Sequence, residues 1–160
     1  MAQPQTFEEF FVAQNDRLLR ILYVVTGSRD EAEDIVQEAF TKVLEHWERV
    51  SSLDNPAGYL EHTAMNTFRN RYRRAKRATR SVIGLGYEQD VFKTVEDRDV
   101  ASRALASLTP RQRAALVLTE LLGYSGNEAA TILGVSASTV WVLTHRAREA
   151  LRNRKEAADD

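Results

Sequence analysis

Apolar positions recur at helical spacing along most of this chain. The clearest run is Ala32, Ile35, Val36, Ala39, Phe40, Val43, Leu44 and Trp47, which steps alternately by three and one and predicts a helix with a single apolar face. Ser28 with Glu31 opens that helix, and it continues to Val50. A helix before it starts at Thr6 with Glu9 as a capping box. It buries Phe7, Phe10, Phe11, Leu18, Ile21, Leu22 and Val25, and closes at Gly27. Arg49 to Asp54 reads as a short polar connection. Asn55-Pro56 then starts a third helix with Ala57, Leu60, Ala64, Phe68 and Tyr72 on its apolar side.

Periodicity fails between Thr79 and Arg98, which predicts a linker, although its scattered Val, Ile, Leu, Tyr and Phe suit packing better than a solvated tether. Helices are expected from Asp99 to Leu108 and from Pro110 to Gly123, the second opened by Thr109 and Gln112. Ser125 with Glu128 caps a short helix that ends at Gly134. Val135 plugs the corner, and Ser136 caps a further helix whose stripe is Val140, Leu143, Ala147 and Leu151. Ala130, the turn glycine and Val140 make this pair a helix-turn-helix, a motif short enough that an ordinary helical hairpin is the competing reading. The tail NRKEAADD is polar and expected to be loose.

The polar faces carry the candidate chemistry. Asp34, Gln37, Glu38 and Thr41 lie at i, i+3, i+4 and i+7, which is either a solvated face or a row for a partner. Asn66, Arg69, Asn70 and Arg73 align in the same way on the third helix. Amides and guanidinium groups in one line can bond base edges and phosphates, while Tyr59 and Tyr72 can stack on unpaired bases. A basic helix end also complements the helix dipole. The seven Lys or Arg residues between Arg69 and Arg80, with no acid among them, exceed that need.

Composition changes the picture in three ways. The 160 residues allow one domain or two small ones, and the absence of cysteine excludes disulfides and thiolate zinc sites. No long apolar run or signal-peptide pattern is present, so a cytoplasmic protein without a membrane segment is expected. The net charge of −1 hides an acidic front and a basic block: residues 1–50 hold ten acids against five Lys or Arg. That asymmetry suggests one surface for a protein and another for a polyanion. His46, His62 and His145 are scattered, and no phosphate loop or nucleophile–base set appears, so neither an enzyme nor a cofactor or metal site is expected.

In this order the motifs resemble the extracytoplasmic-function group of bacterial sigma factors, with regions 2 and 4 only. DEAEDIVQEAFTKVLEHW is similar to region 2.2, NPAGYLEHTAMNTFRNRYRR to regions 2.3–2.4, and LASLTPRQRAALVLTELLGYSGNEAATILGVSASTV to region 4. The resemblance implies an all-α protein of two small helical domains joined by a flexible linker. Residues 1–80 would form the region 2 domain, 81–98 the linker, 99–154 the region 4 domain and 155–160 the tail. Asp34, Gln37, Glu38 and Thr41 would face the β′ clamp helices of core RNA polymerase, and the leucine-rich helices of region 4 its β flap. Ser51, Ser52, Leu53 and Asp54, with His62, Asn66, Arg69, Asn70 and Arg73, would engage the −10 promoter element, including one flipped base. Ser136, Ser138, Thr139, Trp141, Val142, His145 and Arg146 would meet the −35 element.

The family usually places polar readers after Thr-Val in the recognition helix. Here Thr139-Val140 is followed by Trp141, Val142 and Leu143, with Thr144 at a position where leucine is usual and Leu143 available to replace it. The apolar pair either contacts thymine methyl groups, is covered by the linker or a partner, or accompanies weak base readout. An anti-sigma factor wedged between the domains is a further partner the family implies. A helix-turn-helix regulator that binds duplex DNA without polymerase is the alternative function.

Overall fold

The computed structural model describes residues 5–81 and 104–160, all of whose regular elements are helical. In order they are α1 (Phe7–Thr26), α2 (Arg29–Glu45), α3 (Trp47–Ser51), α4 (Pro56–Ser81), α5 (Pro110–Leu116) with a π-helical turn at Val117–Leu121, α6 (Gly126–Leu133) and α7 (Ala137–Asp159). Local chemistry sets the boundaries. Thr6–Glu9, Thr109–Gln112 and Ser125–Glu128 are reciprocal capping boxes, and Ser28 and Ser136 accept from the third backbone N–H of their helices. Gly27 and Gly134 end α1 and α6 at φ 68° and 66°, where a Cβ would strain the backbone.

Three expected boundaries move. The helix expected to reach Val50 breaks at His46, whose φ of −120° and ψ of 24° end α2. The chain restarts as α3, which sets Trp47 beside Phe10 (5.1 Å between ring centroids) and Phe7 (5.5 Å) and buries Val50 completely. Only Ser52 to Asp54 therefore remains of the connection expected over Arg49–Asp54. Of the helix expected over Asp99–Leu108, the described part is a helical turn at 104–106, and the rest lies outside the described residues, as does most of the expected linker. The tail does not fray: α7 continues to Asp159.

Most of the buried apolar residues among those described form one connected cluster. It joins Phe10 and Leu22 of α1, Ile35 and Val43 of α2 and Leu60 and Met65 of α4 to Ala114, Leu118, Ile132 and Val140 of the second half. Each large side chain fully buried there contributes about 1.5–3 kcal/mol, against roughly 0–1 kcal/mol for a surface ion pair. Packing therefore sets the architecture, and the surface charges are left for recognition. Phe11 and Leu44, expected inside, are 40% and 53% exposed. In the recognition helix Thr144 keeps the buried position and Leu143 is half-buried, so Leu143 does not take it over. The Thr144 hydroxyl is satisfied by donating to the Val140 carbonyl at 3.0 Å.

The two halves meet along α1 with α5 and along α4 with α6. Arg113, only 2% exposed, crosses that seam: its Nε donates to the Val25 carbonyl (3.1 Å) and its Nη2 to the Thr26 carbonyl (3.4 Å) at the C-terminal end of α1.

Candidate nucleic-acid interface

The polar row of α2 faces outward. Asp34 and Glu38 expose 62% and 39% of their side chains, and Gln37 and Thr41 are exposed beside them. Arg71 reaches over from α4 to Asp34 (3.4 Å) and Glu38 (3.8 Å), and Lys42 pairs with Glu38 at 3.2 Å. Exposed pairs of this kind are weak enough for a partner's charges to replace them. Alongside the row, Phe11, Leu19, Phe40 and Leu44 line a groove of about 440 Å³ between α1 and α2, which also reaches Gln37 and Thr41. The sequence pattern assigned Phe11 and Leu44 to the core, so this apolar flank was missed.

Between α3 and α4, Ser52, Leu53 and Asp54 are exposed and Ser51 half-buried. The hydroxyls of Ser51 and Ser52 donate to the carbonyls of Glu48 and Arg49, which holds the turn in shape. An open depression of about 600 Å³ bordered by Glu45, His46, Glu48, Arg49 and Ser52 adjoins it. The Arg49 guanidinium donates to the Tyr59 hydroxyl at 3.0 Å and lies over its ring. Tyr72 sits beside Phe68 with Arg111 over its face. Both tyrosines are half-buried, each under an arginine.

The α4 row divides. Asn66, Asn70 and His62 are exposed, the last with its ring edge-on to Tyr124. Arg69, half-buried, and Arg73, itself exposed, point at the C-terminal end of α6. Arg69 Nη1 donates to the carbonyls of Ile132 (3.3 Å) and Thr131 (3.4 Å), and Arg73 Nη2 to that of Gly134 (3.2 Å). Arg69 Nε is buried with no hydrogen-bond partner.

In the helix-turn-helix, Ser136 and Ser138 are exposed and Thr139 half-buried, their hydroxyls linked through Ser136 Oγ at 2.9 and 2.8 Å. Trp141 is 65% exposed and lies flat on His145, with ring centroids 5.0 Å apart and planes 6° from parallel. Val142 is half-buried and Arg146 exposed. Sequence reasoning also missed Glu61 and Tyr124. The Tyr124 hydroxyl donates to Glu61 Oε2 at 2.9 Å, and Arg17 pairs with the other carboxylate oxygen. Burial, then the Glu61 hydrogen bond and charge, push the Tyr124 hydroxyl well above the ordinary tyrosine pKa. Arg71, Glu61 and Tyr124 act across gaps of 37 and 63 residues, and no local spacing announces such pairs.

The Sigma-70 region 2 family matches residues 11–78 and the Sigma-70 region 4 family residues 98–151. An RNA polymerase sigma-E factor of Streptomyces avermitilis is 30% identical over 96% of this chain and 87% of its own length. The ECF RNA polymerase sigma factor SigL of Mycobacterium tuberculosis is 31% identical over 84% of this chain and 80% of its own. Among solved structures, the sigma factor RpoE of Bartonella quintana in complex with the anti-sigma factor NepR shares the fold. Its TM-score is 0.66 at 22% identity, over 94% of this chain and 96% of that one.

Proposed function

The chain belongs to the extracytoplasmic-function RNA polymerase sigma factors, and from that premise we propose how its surfaces divide the work of promoter-specific initiation. It binds core RNA polymerase and brings it to promoter DNA as a dissociable subunit in the cytoplasm, with no catalytic step of its own. Residues 1–80 act as the polymerase and −10 module and residues 99–154 as the −35 module. The observation that carries this division is the exposed α2 row of Asp34, Gln37, Glu38 and Thr41 beside an open apolar groove. Such a mixture of an apolar cleft and a polar rim suits a protein partner better than bulk solvent. The β′ clamp helices of polymerase are its proposed occupant.

DNA falls to the other surfaces. Ser51, Ser52, Leu53 and Asp54 lie between α3 and α4, next to the depression that Ser52 borders with His46 and Arg49, where an unstacked −10 base finds hydrogen-bonding groups around its edge. His62, Asn66, Arg69, Asn70 and Arg73 follow the strand along α4. At the −35 element, Ser136, Ser138, Thr139, His145 and Arg146 hold phosphates and base edges, while Trp141 and Val142 present apolar surface to thymine methyl groups. Trp141 and the α1–α2 groove are also the apolar surfaces that an anti-sigma factor would cover.

Reconstitution tests the reading. Core polymerase supplemented with the full chain gains specific transcription starts, and the chain is captured by core enzyme. Asp34→Arg and Gln37→Ala each lower capture while leaving the helical content intact. A chain that shifts duplex promoter DNA tightly without polymerase, and is indifferent to both substitutions, would instead be a stand-alone regulator.

A further inference from the structure

We propose that the C-terminal end of α7 is a further DNA contact: Arg152 and Lys155 hold backbone phosphates of the duplex beside the −35 element, without reading its sequence. The proposal rests on the reading of α7 as the −35 recognition helix and adds a sequence-independent anchor to it.

Charge on α7 is separated from its reading end. Residues 137–145 contain no Lys or Arg, whereas 146–155 contain Arg146, Arg148, Arg152, Arg154 and Lys155. The first turns of a recognition helix meet base edges, and here they lack the cationic side chains that hold guanine. The charge on which affinity for DNA depends comes from further along the helix.

The helical repeat aims part of that charge. Ser138, Trp141, His145, Arg148, Arg152 and Lys155 step alternately by three and four residues, which keeps them within a sector of about 100°. All six are exposed, and the flat stacking of Trp141 on His145 shows two of them sharing the face. Arg148 is taken by Glu120 of the π-helical turn. Leu151 is the last half-buried residue, and from Arg152 on every described side chain is exposed. Among the described residues, neither Arg152 nor Lys155 makes a side-chain hydrogen bond or ion pair. Glu149 and Glu156, seven residues apart, form a separate line beside the stripe, and Asp159 ends it.

Length places the two cations outside the groove. At 1.5 Å per residue Lys155 stands about 21 Å along the axis from Trp141, whereas the major groove is about 12 Å wide. With the N-terminal turns in the groove, the far end of the stripe reaches the sugar–phosphate wall. Packing gives no reason for this extension, since helices are stabilised mainly by a buried face. Two unpaired cations in line with the reading face give one.

The test uses core polymerase reconstituted with the full chain, binding a labelled promoter duplex across a salt series. Arg152→Gln with Lys155→Gln keeps good helix formers at both positions. The pair should flatten the log–log salt slope by about 1.8, at about 0.9 per phosphate, and leave the preference for an intact over a scrambled −35 element unchanged. Arg152→Lys with Lys155→Arg preserves both charges and should keep the full slope, which separates lost charge from an unwound helix end. Arg154→Gln, which the repeat turns to the other side of the helix, should also keep it. An unchanged slope in the Gln pair would overturn the proposal, and so would an equal loss per charge from Arg154→Gln or a lost −35 preference. Unaltered holoenzyme that shows no preference for the intact promoter would instead sink the sigma-factor reading itself.

Discussion

Arg113 shows how one side chain can join two halves of a molecule. A guanidinium that is 2% exposed would be costly alone, but here its donors meet the carbonyls that α1 leaves unpaired at its C-terminal end. Arg113→Met should therefore lower stability by about 2–4 kcal/mol in urea unfolding of the full chain, because packing is kept while buried carbonyls lose their donors. Tyr124 gives a pH signature. Its pKa is raised on folding, so the stability it contributes is complete below the ordinary tyrosine value of about 10 and is lost as the pH rises towards the folded value. Unfolding followed from neutral to strongly alkaline pH should show an alkaline decline that Tyr124→Phe reduces.

Among the elements, α6 and α2 differ in what their polar residues do. Ser125 and Glu128 close the N-terminus of α6 on itself, and Ser125→Ala should cost about 1 kcal/mol of stability by thermal unfolding. The α2 row holds nothing up: Asp34 is 62% exposed and its pairing with Arg71 is long. Asp34→Arg should accordingly change stability by less than about 0.5 kcal/mol, while lowering core polymerase binding at least about ten-fold in a capture titration. The two outcomes separate a structural role from a recognition role on helices of similar amphipathic pattern.

For the whole molecule, the seam between the halves decides which charges face solvent. Arg69 is half-buried against the carbonyl of Ile132, whereas Arg73 stays exposed while it donates to that of Gly134. Single-stranded DNA loses affinity with log salt at a slope of about 0.7 per neutralised phosphate, so on the proposed role of the α4 row Arg73→Ala should flatten the slope by about 0.7. Titrations of a labelled oligonucleotide across a salt series read that slope directly.

Local order was legible in the sequence because its causes are local. Three capping boxes, the glycines at Gly27 and Gly134 and the three-and-one stepping of α2 set helix starts, stops and faces within a few residues of one another. The family resemblance was legible for the same reason, since its motifs are short contiguous strings. Tertiary structure alone decided whether a residue on an apolar face is covered. Phe11 and Leu44 fit the core pattern, yet the elements packed on α1 and α2 leave both beside an open groove. It also decided what the α4 arginines touch. Equal spacing made Asn66, Arg69, Asn70 and Arg73 one row, but α6, some 60 residues away, draws the two arginines to a helix end and half-buries Arg69, while the other three stay exposed. Helical period specifies direction from an axis, whereas the neighbour standing in that direction is chosen by how the whole chain packs.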